Sequence, residues 1–593
     1  MSRKCPHEGG RYKYLPKLNS YVDIVSKFIH MKGSNIMGKN DAANTRLPRR
    51  DFVKKAAAGI GAAALAGISA KETPAAGASR HWDITADVVI VGAGAAGIPA
   101  SIEAAQHGAT VIIVEQNYDI GGHGIESGGN IALGGGTSLQ KKYGIEDSPD
   151  AMFDDLIRWH DYRFSDREIV RAFCDENVPS FDFLLAHGVK FPDVSPNGAD
   201  GGPQNVLRSQ TVHWSGEVSA FSPTGGNGTS LMRPLEASAR KLGVQIFLQH
   251  SLTGVVREDN FSGRVLGITA THQGKTLNIE AKKGVVLSTG GHTSNVNFRR
   301  MFDPRLTEEY QVVGEPYSRQ SGDGEIAAMQ VGASLWGAAS QTLETQARSH
   351  IFEKPYVIGN QFGYPQGGGH RGENLKDSPV AGLARAIGLF VVDFQNVIHV
   401  NQAGRRFVNE FATGFDWWNP CLESNGGKSD GGGPIWAIFD ADAVKRESWV
   451  CAPPFVDPDG WFFTGQTLKE LAGRIAGKYQ KTSVPAAALE ETVARYNRFV
   501  DGSKDEDFGK PAPKYKIQTP PFYAAWSTPC LHDCLSGLRI NGKAQVMDLW
   551  GKVIRGLYCA GETAGGFNEH GLARAIVFGR IAGREAARST DRA

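Results

Sequence analysis

Residues 92–97 read Gly-Ala-Gly-Ala-Ala-Gly, and the only polar groups they offer are backbone N–H and C=O. Their chemistry is that of a phosphate cradle. Gly92 permits a tight turn, Gly94 lets the main chain approach a pyrophosphate, and Gly97 lets a helix pack closely on a strand. Ala96 stands at the start of that helix, whose free N–H groups and positive dipole end receive phosphate charge. Glu115 follows at the spacing from which an acid accepts hydrogen bonds from a ribose. A second constellation, Cys530 and Cys534, has the spacing C-x-x-x-C, but no further Cys/His cluster completes four ligands. We expect two nearby thiols, buried or bridged, and no metal site.

The elements that must hold the cradle are written around it. Asp87–Val91 is a short β-branched apolar run, Ile98–His107 reads as a helix, and Thr110–Val114 as a second strand ending at Glu115. Strand, glycines, helix, strand and acid in that order specify a dinucleotide-binding βαβ unit. Gly121–Gly129, GGHGIESGG, continues a glycine path past the acid and contains Gly122, His123, Ser127, Gly128 and Gly129. Lys283–Gly291 is another strand, stopping at Gly290 and Gly291. Gly556–Glu562 is a strand ending in a glycine and an acid, followed by a helix from about Gly571 to Ala587. Segments this far apart must converge on one long ligand. Glycine supports this, at 73 of 593 residues, about 12% against a usual value of roughly 7% and without a collagen period. The 64 basic and 62 acidic residues leave +2, so no nucleic-acid partner is expected.

Arg49 and Arg50 precede Asp-Phe-Val-Lys and an Ala/Gly-rich apolar run, Ala56–Ala70. This resembles a twin-arginine export signal, with residues 1–36 an extension ahead of Met37 and cleavage after Ala70 or Ala78. A periplasmic protein without a transmembrane anchor in its mature chain is the expectation.

Taken together, VVIVGAGAAG (Val88–Gly97), GGHGIESGGNI (121–131), STGG (288–291), SGDG (321–324), NQAGRRFVNE (401–410), PPFYA (520–524), GLYCAGE (556–562) and FGRIAG (578–583) are specific. The chain resembles the FAD-dependent fumarate reductases, flavocytochromes, urocanate reductases and 3-ketosteroid Δ1-dehydrogenases over about residues 84–590. The resemblance implies an α/β fold in which a Rossmann-like FAD-binding domain is split by an inserted α+β cap. The domains would be 1–78 (extension and signal), 79–340 (first FAD part), 341–530 (substrate cap) and 531–593 (second FAD part). It also implies that Gly92, Gly94, Ala96, Gly97 and Glu115 serve the ADP half, and that Gly122 to Gly129 serve the pyrophosphate and flavin edge. Gly290, Gly291 and Asp323 belong to its further FAD motifs, Glu562 would hold the ribityl chain, and Gly571 and Leu572 would face the N1/O2 end of the ring. His123 falls where some relatives link FAD covalently; the other reading packs it beside the ring.

The catalytic pattern departs from those relatives. Gly414 stands where fumarate reductases carry the proton-donating arginine, Asp533 where they carry a ligand histidine, and the loop before the last helix is shortened to 565–572. The cationic clamp for a dicarboxylate is missing, as is the tyrosine that ketosteroid dehydrogenases carry in this loop. Flavin chemistry at a C–C bond still needs an acid or base beside the hydride-exchanging ring. The best candidates are Glu569 and His570 in the shortened loop, His532 and Asp533, and Tyr364 in the cap, where Trp417 and Trp418 would line an aromatic pocket. Each also has a plainer reading as a cap, an orienting group or packing. Arg406 reads as structural, and Arg574 fits either description.

The expected function is an FAD-dependent dehydrogenase of a small organic, neutral, aromatic or polycyclic substrate. A separate electron partner, a cytochrome or the quinone pool, would complete the cycle. The alternatives are a periplasmic enoate-type C=C reductase fed by an external donor, and a flavin electron carrier without its own substrate.

Overall fold

A computed structural model describes residues 81–159, 165–198, 205–213, 227–312, 314–315, 317–337, 350–353, 389, 391–412, 415–424, 433–452, 456, 458–567, 569 and 571–590. The twin-arginine segment, Tyr364, Gly414 and His570 lie outside the described residues, as does the side chain of Trp418.

The fold is α/β, as the sequence implied. Its centre is an eight-stranded sheet. Ile84–Val91 pairs in parallel with Val111–Val114 on one side, Val89 opposite Ile112, and with Lys275–Leu287 on the other, Val89 opposite Val285. Gln245–Phe247 and Val553–Cys559 extend the parallel sheet outward. The first strand begins three residues before the expected Asp87. Ile84–Ala86 are half-buried or alternate, so they lack the continuous apolar signal of a central strand, yet they pair with Ile279–Ala281. Every residue of Val88–Val91 is buried, because helices cover both faces.

Two helices meet almost backbone to backbone. Gly97–Gln106 lies against the last helix, Gly571–Arg588, and Gly579 and Gly583 face the carbonyls of Ala96 and Ala100 with no room for a Cβ. Gly97 in turn faces the carbonyl of Gly92. The sheet, the cradle and the final helix are thereby held at one fixed spacing.

A second core is built on an antiparallel sheet in the order Ile398–Val400, Trp436–Asp440, Phe522–Trp526, Phe462–Gly465. Trp436 and Trp526 meet edge to face at 5.5 Å between ring centres. Ala486–Gly502 packs into this core through Leu489, Val493 and Tyr496. Trp417 packs with Val408, Cys421 and Ile435 in a small core, the plainer of its two readings. Arg406 is structural: it pairs with Glu410 and Asp505 at 2.9 Å each.

A third, three-stranded sheet carries residues of interest. Cys530–Cys534 lies between His350–Glu353, antiparallel, and Gln311–Val312, parallel. Both cysteines are buried, and no disulfide joins them. No helix among the described residues is long and apolar enough to cross a membrane.

Candidate functional site

A long cleft opens at the C-terminal ends of the parallel strands, where this architecture places ligands. Gly92, Gly94 and Ala96 line it. Gly92 has φ +99°, which a side chain rarely adopts, and the carbonyl of Ser288 fills the space a Cβ would need. At Gly94 the space is open, with only the Gly121 carbonyl at 3.7 Å from a Cβ position. Ala96 caps the following helix without a side-chain hydrogen bond, so the first N–H groups remain available to a ligand.

Glu115 ends the second strand and lines the same wall. Its carboxylate accepts from the N–H of Ala93 at 2.7 Å and of Asn117 at 2.9 Å. Burial pushes its pKa up, against those N–H groups, which favour the charged form. Beyond Glu115 the wall continues through His250, whose N–H donates to the Glu115 carbonyl at 2.8 Å and whose ring stacks on His272 at 4.2 Å.

Gly122, His123, Ser127, Gly128 and Gly129 form the next stretch of wall. Part of this glycine path is a short helix, Gly122–Glu126, closed by Ser127 Oγ donating to the Gly124 carbonyl at 2.8 Å. Nothing lies within 4 Å of a Cβ position at Gly128. At the far end stand Gly290, Asp323, Glu562, Gly571 and Leu572, joined by His532 and Asp533 from the three-stranded sheet. Asp533 is 3% exposed and its Oδ1 lies 3.4 Å from His532 Nδ1.

Around His123 the charges are dense. Nδ1 is 3.6 Å from Glu562 Oε1 and 3.2 Å from Gln320 Nε2. Burial alone would lower the imidazole pKa, but Glu562, with Glu126 and Asp533, outweighs it and lifts the value to about 9.

Three expected residues stand elsewhere. Gly97 is absent from the cleft wall and serves helix packing, the role its spacing suggested. Gly291 is also off the wall; a Cβ there would collide with Cys534. Glu569 is 1% exposed and does not line the cleft. Arg574 is a tie, donating to the Phe567 carbonyl at 3.1 Å and the Cys534 carbonyl at 2.7 Å. Sequence reasoning missed Gln320, Glu126, Thr289 and Tyr317 on the wall. Gln320 directly precedes the SGDG motif, and that adjacency was the one available signal.

These residues fit an FAD. A cradle without side chains, an uncapped helix start and an acid at the second strand's end suit the ADP half, and the cleft runs on far enough to take a second ring system. Among the described residues no group of three or more His, Cys, Asp or Glu is placed to hold a metal ion.

Comparison with known proteins agrees. A family model described as an FAD binding domain matches residues 87–572. The chain is 29% identical over 514 residues to urocanate reductase of Eggerthella lenta, spanning 84% of this chain and 74% of that protein. It is 30% identical over 528 residues to a fumarate reductase (cytochrome) of Shewanella frigidimarina, spanning 87% and 79%. The solved 3-ketosteroid-Δ4-(5α)-dehydrogenase of Rhodococcus jostii RHA1, in complex with 4-androstene-3,17-dione, matches with a TM-score of 0.56 at 26% identity over 86% of this chain and 98% of that one. With cradle, acid and cleft in place and the family model spanning both ends of the site, the chain belongs to the FAD binding domain family, and FAD is its cofactor.

Proposed function

We propose that this protein is an exported FAD oxidoreductase that moves hydrogen across a carbon–carbon bond beside a carbonyl or conjugated group. Its substrate in this reading is neutral, aromatic or polycyclic, and dehydrogenation is the favoured direction. The observation that carries it is the pair His532 and Asp533 on the cleft wall. Asp533 occupies the position at which the fumarate reductases carry a histidine that grips a dicarboxylate. A buried carboxylate there, near Glu562 and Glu126, repels a dianion and tolerates a ketone. The steroid complex of the solved relative supports a neutral guest.

Bound FAD supplies the hydride acceptor or donor. The chain supplies the rest. Gly92, Gly94 and Ala96 hold the pyrophosphate, Glu115 the ribose and Glu562 the ribityl chain, and the start of the final helix at Gly571 stabilises negative charge at the ring. Asp533 and His532 remove or deliver the proton that accompanies hydride transfer. Glu569, buried off the cleft wall, supports the shortened loop. His570 and Tyr364 remain candidates in the same chemistry. Residues 341–530 act as the substrate cap, and a cytochrome or the quinone pool exchanges electrons with the enzyme in the periplasm. The urocanate and fumarate reductase relatives favour the reverse direction as the second reading, a C=C reductase fed from outside.

Anaerobic mixing of the yellow holoenzyme with ketosteroids, aryl ketones and enoates tests both. Bleaching by a saturated ketone supports dehydrogenation; reoxidation of the reduced protein by an unsaturated compound supports the reductase. Asp533→Asn and His532→Ala should retain flavin and slow turnover by about a hundredfold or more. Unaltered turnover in both removes these residues from the chemistry.

A further inference from the structure

Gln320 is fixed in an orientation that constrains its neighbours. It is buried, its N–H donates to Ser294 Oγ at 3.2 Å, and its carbonyl accepts from the Ser294 N–H at 2.9 Å. Thr293 Oγ1 donates to the side-chain oxygen. Both amide hydrogens therefore point the other way, where Nε2 donates to Glu562 Oε2 and approaches His123 Nδ1 at 3.2 Å.

A proton count follows from these partners. An amide nitrogen only donates, so the His123 nitrogen that faces it must keep its lone pair. An imidazolium carries N–H on both nitrogens and cannot accept. Three carboxylates pull the other way: Glu562 from the turn after the strand Val553–Cys559, Glu126 from the short helix, and Asp533 from the three-stranded sheet. Ser318 Oγ donates to Glu126 Oε2 at 2.7 Å and fixes that charge. His532 and the exposed Arg319 also line this end of the cleft. The carboxylates alone would hold the imidazole at about 9, whereas Gln320 turns an amide N–H towards Nδ1 and opposes that protonation, so His123 cannot satisfy both demands at once.

We propose that Gln320 is a positioning residue that holds His123 neutral while the site is oxidised, so that His123 Nδ1 takes up a proton when the site is reduced. For each two-electron reduction, one proton goes to the flavin and one from solvent to His123. The electrons come from an added reductant, and Gln320 gives up its contact with Nδ1 as the new N–H forms. The negative charge gained on reduction is thus offset inside the cleft. The inference rests on FAD, the cofactor of the family, occupying this cleft, and not on the substrate proposed above.

The test is a spectroelectrochemical titration of the holoenzyme against pH, with dithionite as reductant. Around neutral pH the native protein should bind two protons per two electrons. Gln320→Leu should bind one there, because His123 is already protonated when oxidised. Its inflection should move about one pH unit or more upward, a tenfold rise in the proton affinity of oxidised His123. Gln320→Glu should shift it the same way, and His123→Gln should bind one proton throughout. Two protons in His123→Gln, or a Gln320→Leu profile identical to the native one, overturns the proposal. Should either Gln320 variant lose flavin, nitrogen NMR of the native holoenzyme decides, with His123 identified by the signals absent in His123→Gln. An unprotonated Nδ1 in the oxidised state at about pH 7.5 supports the assignment, and a protonated one defeats it.

Discussion

The carboxylate of Glu325 lies 3.1 Å from Nδ1 of His292, and neither side chain has any exposure to solvent. Glu325 Oε2 has no hydrogen-bond partner among the described residues. His292 Nε2 reaches Ser536 Oγ at 3.4 Å, and the His292 backbone N–H donates to Cys534 Sγ at 3.0 Å, so the pair sits directly behind the strand that carries Asp533. Burial pushes Glu325 well above the ordinary carboxylate range and pulls His292 down to about 3. The pair is therefore neutral, with the Glu325 proton donated to Nδ1.

This neutrality has a signed consequence for stability. A raised carboxylate stabilises the fold below its unfolded value of 4.5 and loses that contribution as pH climbs towards its folded value. A depressed imidazole does the reverse, losing stability as pH falls below 6.5 towards about 3. Between the two unfolded values the slopes oppose each other. Above the unfolded value of His292, 6.5, any remaining fall belongs to Glu325, with a limiting slope of about 1.4 kcal/mol per pH unit. Urea unfolding across pH should show Glu325→Gln removing that alkaline fall while keeping the bond to Nδ1; an identical slope in the variant shows that Glu325 is ionised in the fold.

Glu410 behaves in the opposite sense. It is fully buried, and burial would raise it, yet Lys510 and Arg406 hold it down at about 2. Burial lowers Lys510 itself, so within this cluster the carboxylate gains more than the ammonium. Its stabilisation is complete above 4.5 and is lost as pH drops towards 2. Glu410→Gln leaves two buried cations short of a partner, a loss of about 3–5 kcal/mol by analogy with other broken buried pairs. Fluorescence of Trp436 and Trp526, in the adjoining core, should report acid unfolding that begins at higher pH in the variant. An unchanged acid transition indicates that Asp505 alone anchors Arg406.

How legible this was depended on the range of the interactions. The βαβ unit could be read because its demands are local: a buried strand needs apolar residues in a row, and a phosphate cradle needs bare backbone. Glu115 and Glu562 announced themselves by ending strands, and Asp533 by standing where relatives carry a histidine. The roles of Gln320 and Glu126, one beside a quoted motif and one inside another, could not be read because their partners, Thr293, Glu562 and Ser318, come from other parts of the chain. Gly291 misled for a related reason. Its lack of a side chain serves Cys534, 243 positions away, although it stands beside a glycine that does line the cleft.

Two glycines separate packing from flexibility. Gly583 in the last helix faces the Ala100 carbonyl with no space for a methyl group, whereas nothing lies within 4 Å of a Cβ position at the exposed Gly473. Gly583→Ala should push the final helix off its partner, destabilise by about 1–3 kcal/mol and weaken FAD retention, since that helix begins at the cleft. Gly473→Ala should be neutral or add about 0.5–1 kcal/mol. Thermal melts of both, with flavin release as a second signal, compare the sites; equal stability changes would show that the helices are free to separate.

His123 decides how the flavin is held. It lines the cleft; Nδ1 faces Gln320 and Glu562, and Nε2 lies beside Gly314, where a Cβ would collide with it. A covalent link needs one of these nitrogens to turn to a carbon of the flavin. The expected outcome is therefore a tightly bound but extractable cofactor. Acid precipitation of the holoenzyme should leave a colourless pellet and a yellow supernatant, and the denatured chain should have the mass of the polypeptide alone. His123→Gln should still bind FAD, more weakly, because Glu562 loses a neighbouring donor-acceptor while the glycine cradle and Glu115 are untouched. A pellet that stays yellow and fluoresces after acid treatment would mean that the imidazole turns on cofactor loading and that Gly314 gives way to it.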